Sequence, residues 1–185
     1  MTEIEEEQPI LANSLIKISK SKVKQIITFY YNDPTEIYYS YVKAGLLEDL
    51  LEEVTTNMQS FLSQDSFKVN SLDIPLIITD SRLTFHKKKK TKPAIVFEVE
   101  NGVDFKLENS GTQLIELTAE KEILDYPITS TWKFPGKILS IESPLKHKIT
   151  GFQVDFRAVQ GDQIGGDEIF SFFYKIRNSS YLKGR

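Results

Sequence analysis

The stretches FQVDFRA at residues 152–158 and IFSFFYKI at residues 169–176 decide the fold. In the first, apolar residues alternate with Gln153, Asp155 and Arg157, which is the period-two pattern of a half-buried strand. In the second, one face carries Phe170, Phe172, Tyr174 and Ile176. Ile169 and Phe173 lie on the opposite face, so this strand is apolar on both sides. Because the connection contains Gly161, Gly165 and Gly166, the two stretches predict a long terminal hairpin.

One amphipathic helix is predicted over residues 46–62. Its apolar stripe at helical spacing consists of Leu47, Leu50, Leu51, Val54, Met58, Phe61 and Leu62. Gly45 supplies a break before it, and acidic residues crowd its first turns, where the helix dipole favours negative charge. Residues 21–31 leave two alternatives open, since Val23 and Ile27 fit a second short helical face whereas the segment as a whole is rich in β-formers.

The rest of the chain predicts strands and turns. Candidate strands cover residues 10–18, 37–42, 67–72, 76–85, 112–118 and 138–141. Residues 94–107 predict a hairpin with the three-residue loop Glu100–Gly102, because only that register places its apolar residues on one face. We therefore expect an α+β fold with a mainly antiparallel sheet. A single domain over residues 10–185 follows a disordered acidic tail at residues 1–9.

Composition excludes several classes of site. The chain contains no cysteine, which excludes disulfides and zinc–thiolate or iron–sulfur sites. The net charge is -3 and the pI about 5.5, and both argue against a dedicated nucleic-acid binder. No apolar run approaches the roughly 20 residues of a membrane-spanning helix, and no secretory signal is visible. We therefore expect a cytoplasmic protein, and its Lys-, Glu-, Ile- and Tyr-rich composition is typical of thermophiles.

No catalytic or cofactor-binding motif is present. His86 and His147 have no metal-ligand spacing, and Ser110-Gly111 lacks the glycines of a nucleophile elbow. Four carboxylates near one another in sequence are Asp155, Asp162, Asp167 and Glu168. They would suit acid–base chemistry in an enzyme or a ligand-binding protein, but their glycine-rich setting favours a solvated turn. We expect no catalytic, metal or cofactor site.

Two local features favour binding instead. The basic run comprises Lys87, Lys88, Lys89, Lys90 and Lys92, and it suits phosphate or an acidic partner if it is more than a solvated loop. The aromatic cluster comprises Tyr30, Tyr31, Tyr38, Tyr39 and Tyr41. Tyrosines are enriched at interfaces, although an ordinary core would also accommodate them. Together with the strand that is apolar on both faces, the cluster predicts a homodimer.

The leading hypothesis is a non-catalytic accessory subunit that binds other proteins. In length, cysteine-free composition, the strong helix at residues 46–62 and the β-rich remainder, the chain resembles a small accessory subunit of crenarchaeal type III-B CRISPR (Cmr) effector complexes. That resemblance implies a dimeric, non-catalytic protein in antiviral defence, associated with RNA through a larger complex. It carries no diagnostic motif and transfers no functional residue.

Overall fold

Two β-sheets form the frame of the protein in a computed structural model that describes residues 8–176. In chain order the strands are β1 (Leu11–Ile18), β2 (Val23–Tyr30), β3 (Ser66–Val69), β4 (Leu72–Asp73), β5 (Leu76–Phe85), β6 (Pro93–Asn101), β7 (Gly111–Ile123), β8 (Ile128–Lys133), β9 (Lys137–Glu142), β10 (His147–Thr150), β11 (Gln153–Ala158) and β12 (Gln163–Tyr174). The helices are α1 (Ile37–Ala44) and α2 (Leu47–Leu62). The mainly antiparallel α+β fold predicted from the sequence is confirmed.

The strands divide unequally between the sheets. Sheet A has seven strands in the order β10-β11-β8-β1-β2-β6-β5, and sheet B has five in the order β4-β3-β7-β12-β9. Among the strand pairs of residues 8–176, only β1–β8 is parallel. The acidic tail predicted for residues 1–9 lies, up to residue 7, outside the described residues.

The main core fills the space between the sheets. Trp132 of sheet A stacks on Phe170 of sheet B with ring centroids 4.5 Å apart, and both side chains are buried. Phe172 and Val154 are also fully buried in this cluster. The inward residues of both terminal stretches therefore anchor the sandwich, as their alternation indicates.

The helix α2 covers the part of the inner face of sheet A that β2 and β6 form. Val54, Met58 and Leu62 pack against Ile27 and Phe97 in a second apolar cluster. The helix predicted over residues 46–62 is thus confirmed, beginning at Leu47. In the part of the chain that the structure describes, neither helix combines the length and apolarity needed to cross a membrane.

Two local predictions near the N-terminus are wrong. Within residues 21–31, where a second helix was one of two alternatives, the chain forms the strand β2. This strand lies inside sheet A and pairs with both β1 and β6. Conversely, residues 37–42 form α1 rather than a strand. Intrinsic propensities differ by well under 1 kcal/mol per residue, so the pairing of β2 and the end-capping of α1 outweigh them.

The hairpin predicted over residues 94–107 is also wrong. The strand β6 pairs with β2 and β5, so no edge remains for residues 103–107. The Asn101 side chain instead accepts a hydrogen bond from the Val23 N–H at 3.0 Å and donates one to the Val103 carbonyl at 2.8 Å. The chain then turns inward and buries Phe105 and Leu107 in the main core.

The terminal hairpin is wrong in its pairing, although both strands exist. The strand β11 lies between β10 and β8 in sheet A, whereas β12 lies between β7 and β9 in sheet B. The connection therefore crosses the sandwich. Gly165 (φ 80°) sits at an irregularity of the β12–β7 register, where a Cβ would collide with the Glu120 carbonyl. This glycine is required by close backbone approach and not by a hairpin turn.

Candidate functional site

The predicted lysine run lies in the connection between β5 and β6, residues 86–92, which begins with a tight turn at His86–Lys89. Lys87 and Lys88 adopt left-handed conformations, with φ of 50° and 62°, and the Lys89 N–H donates to the His86 carbonyl at 3.0 Å. Hairpin turns with two left-handed residues normally use Asn-Gly. Because lysine carries a Cβ, each such residue destabilises the turn by about 1–2 kcal/mol. All five lysines of the run are exposed.

The structure brings this turn against Tyr39 of α1. The Lys90 ammonium lies 3.9 Å from the centroid of the Tyr39 ring, and the Lys43 ammonium lies 5.2 Å from it. Phe85 meets the same ring edge-on at 5.9 Å. Both ammonium distances fall within the range of cation–π attraction. We name this surface the lysine–tyrosine patch: Tyr39, Lys43, Phe85, Lys87, Lys88, Lys89, Lys90 and Lys92.

A buried carboxylate holds the patch together. Asp33 is fully buried, and its two side-chain oxygens accept hydrogen bonds at 3.0 Å from the Ile37 and Tyr38 N–H groups at the start of α1. The Thr35 hydroxyl donates to the same carboxylate at 3.1 Å. The Asp33 N–H donates to the carbonyl of Thr91, which lies in the connection between β5 and β6, also at 3.0 Å. Asp33 therefore fixes the helix relative to the turn.

The sequence alone does not identify this role of Asp33. Asp33 lies three residues before the helix boundary at Glu36, which has a left-handed φ of 58° and makes no side-chain cap. A capping residue usually lies directly at the boundary, so the spacing hides the signal. Lys43 was missed because it lies outside the lysine run.

The other predicted tyrosines do not form one surface. Tyr31 and Tyr38 contact each other with centroids 5.1 Å apart and pack against the second apolar cluster. Tyr30 lies on the outer face of sheet A, where its hydroxyl is 3.5 Å from the Asn13 amide nitrogen. Tyr41 is half-buried. Tyr39 is the member of the predicted cluster that belongs to the patch.

The four predicted carboxylates do not converge. Asp155 is on the outer face of sheet A, where Gln153 and Thr131 donate hydrogen bonds to it and hold its pKa below the usual range. Asp162 accepts the Val159 N–H at 2.9 Å within a turn. Asp167 accepts the Thr118 hydroxyl at 2.8 Å on the outer face of sheet B.

Glu168 has the most unusual environment of the four. It points into the rim of the sandwich, where burial raises its pKa, while the Ser143 hydroxyl at 2.5 Å and the nearby His147 oppose that shift. His147 is exposed, and its Nδ1 lies 3.0 Å from the Leu145 carbonyl. Within residues 8–176, no three His, Asp or Glu side chains group as metal ligands.

A further acidic site was not foreseen. Burial and the neighbouring Glu122 raise the pKa of Asp65 to about 6. The carboxylate is partly desolvated although the residue as a whole is exposed. Burial and Glu122 also raise the pKa of Tyr126. Since these residues lie far apart in sequence, only the folded chain brings them together.

Comparison with known proteins gives only distant similarity. No protein-family model matches the chain, and no curated protein matches it. The M1 zinc metallopeptidase from Deinococcus radiodurans is similar at 5% identity with a TM-score of 0.30, covering 89% of this chain and 42% of that one. A mutant of this peptidase bound to a Tyr-Ser-Ala substrate gives 7% identity and a TM-score of 0.31, covering 91% and 43%. The chain thus spans less than half of these peptidases, and similarity at this level carries no functional argument.

Proposed function

We propose that this protein is a non-catalytic accessory subunit that binds an acidic surface of another protein through the lysine–tyrosine patch. The observation that carries the proposal is the strained turn at Lys87 and Lys88, held against α1 through Lys90 and Tyr39. A solvated loop has no need of two left-handed lysines in succession. Backbone strain that the surrounding structure maintains is characteristic of functional positions.

An acidic protein surface fits the patch better than a nucleic acid does. The Tyr39 ring is already engaged by two ammonium groups and by Phe85, so it is not free to stack on a base. The patch contains no arginine, the residue best suited to bidentate phosphate contacts. Carboxylates of a partner protein need only the positive charge and exposure that these lysines provide.

The resemblance to Cmr accessory subunits gives this proposal a specific setting. In that setting the protein is a cytoplasmic component of an RNA-guided antiviral complex, and other subunits perform the chemistry. Its contact with RNA is then indirect, which agrees with the protein-directed character proposed for the patch.

Tagged purification from the native host tests the proposal. The test variant replaces Lys87, Lys88, Lys89 and Lys90 with glutamine. The matched control replaces four exposed lysines elsewhere, namely Lys17, Lys106, Lys133 and Lys148. We expect large proteins to co-purify in fixed ratio with the wild type and the control, and to be lost from the test variant.

Nuclease treatment separates protein binding from RNA binding. If the patch contacts protein, the partners stay bound after ribonuclease digestion. Retention of the partners by the folded test variant would overturn the proposal. Release of the partners by ribonuclease would also overturn it, because RNA would then be the ligand.

A further inference from the structure

The outer face of sheet B carries a self-complementary pattern. Along β12 and its continuation, the outward positions are Asp167, Ile169, Ser171, Phe173 and Lys175. If the same strand of a second copy lies antiparallel on this one, with the two Ser171 residues facing each other, Asp167 faces Lys175 and Ile169 faces Phe173. Each charged residue then faces its opposite, and each apolar residue faces another apolar residue.

The neighbouring strand β9 repeats the symmetry. Its outward residues Lys137, Ser140 and Glu142 lie beside Phe173, Ser171 and Ile169 respectively. The hydroxyls of Ser140 and Ser171 lie 2.7 Å apart, so both strands share one centre. Lys137 and Glu142 form no ion pair within the described residues, and each is exposed.

Exposed apolar side chains surround this centre. Leu114 of β7 lies opposite Ser171 and is 40% exposed, Phe173 is 45% exposed, and Leu139 of β9 is 51% exposed. The helix α2 packs on sheet A, so no helix of residues 8–176 covers this face. We name this surface the sheet B face: Leu114, Lys137, Leu139, Glu142, Ile169 and Phe173.

We propose that a second copy of this chain docks on the sheet B face across a two-fold axis that lies in the interface and runs perpendicular to β12. This operation stacks β12 on β12 and β9 on β9 with reversed direction. Lys137 then faces Glu142 of the second copy, and Ile169 faces its Phe173. An isologous interface requires such self-complementarity.

The charges favour this axis over the other two-fold axis that could lie in the plane of the interface. A two-fold axis parallel to β12 would stack β7 on β9 and place Glu116 opposite Glu142 of the second copy, since both lie level with Ile169. Two such acidic pairs would repel each other across the interface. The perpendicular axis instead makes attractive pairs at Lys137 and Glu142.

The nature of the sheet edge also favours face-to-face docking. Edge-to-edge pairing through β9 is disfavoured by its register irregularity between Ser140 and Ile138 and by Lys137, because bulges and lysines blunt strand edges.

Charge reversal tests the interface and its axis together. In the proposed dimer, K137E or E142K alone places like charges opposite each other twice, and we expect the dimer dissociation constant to rise about 100-fold. The double variant K137E/E142K recreates both pairs and restores the homodimer. Mixing the two single variants forms a heterodimer, because every contact then joins Glu to Lys. Analytical ultracentrifugation measures all four outcomes.

A second variant and a control complete the test. Phe173→Ser removes an exposed apolar contact and is expected to give a folded monomer. The reversal Lys17→Glu, on the outer face of sheet A, should leave the dimer unchanged. A wild-type monomer, or single variants that dimerise as tightly as the wild type, would overturn the inference. The variant with glutamine at Lys87, Lys88, Lys89 and Lys90 should remain dimeric, because these residues lie outside the sheet B face. Failure of the proposed function and failure of this inference can therefore be told apart.

Discussion

Removal of the Asp33 carboxylate should detach α1 from the connection between β5 and β6 while leaving the sandwich folded. In the wild type, this buried carboxylate accepts three hydrogen bonds, two from N–H groups of α1 and one from Thr35. The helix α1 also packs Tyr38 on the second apolar cluster and Tyr39 on Phe85, but it buries none of its residues fully, so these hydrogen bonds are a major part of what holds it. The variant Asp33→Ala removes all three acceptor contacts at once.

The size of the effect follows from the two backbone hydrogen bonds. A hydrogen bond to an ionised group contributes about 1.5–3 kcal/mol, so two such bonds give a loss of about 3 kcal/mol in the free energy of unfolding when the lower value is used. The lower value applies because α1 can fray in the variant and expose its first N–H groups to water. The Tyr39–Lys90 contact should be lost with the helix.

Two measurements separate local from global effects. Amide hydrogen exchange across residues 37–44 should accelerate in Asp33→Ala, because α1 opens more often. Trp132 is the single tryptophan and is buried in the main core, so its fluorescence follows the sandwich itself. In the absence of urea this fluorescence should stay native, and the urea midpoint should fall with the lost stability.

Asp73→Ala provides a matched control. Asp73 is exposed and lies 3.9 Å from the Lys68 ammonium, so its removal should change neither exchange in α1 nor the urea midpoint appreciably. A loss below about 1 kcal/mol in Asp33→Ala, with unchanged exchange in α1, would refute the anchoring role of this carboxylate.

Three further changes have defined outcomes. Because the pKa of Asp65 is raised to about 6 in the folded state, ionisation of this group lowers the free energy of unfolding as the pH rises from about 4 to 6. Asp65→Asn should remove this pH dependence and stabilise the protein at pH 7 by about 1 kcal/mol after solvent screening. Urea titration at several pH values measures both effects. Replacing Lys87-Lys88 with Asn-Gly should relieve backbone strain and stabilise the fold by at least about 1 kcal/mol in the same assay. The same variant should no longer capture the partner proteins. A destabilised variant would contradict the left-handed turn assigned to these residues. Gly136→Ala should lower the thermal midpoint, because its Cβ would collide with the Phe173 carbonyl, whereas Gly151→Ala adds a Cβ where nothing lies within 4 Å and tests left-handed strain alone.

Much of the candidate site was visible in the sequence, but its assembly was not. The lysine run and Tyr39 were both identified from composition, and the structure places Lys90 directly over the Tyr39 ring. That contact joins residues 51 positions apart, and no local periodicity encodes it. Asp155 and Asp167 are near each other in the sequence, whereas in the fold they occupy opposite faces of the sandwich.

The sequence by itself determined where the long helix and most of the strands lie, and which side of β11 and β12 packs into the core. Those properties depend on side chains at periods of 2 and 3.6 residues, which are local. The sequence did not predict β8 and β10, and it wrongly predicted a strand over residues 37–42. The tertiary structure alone decided that β11 and β12 belong to different sheets, that residues 37–44 form a helix, and that Phe173 on the second apolar side of β12 stays exposed. Strands pair through backbone N–H and carbonyl groups that are the same in nearly every residue, so alternation specifies the face of a strand but not its neighbour.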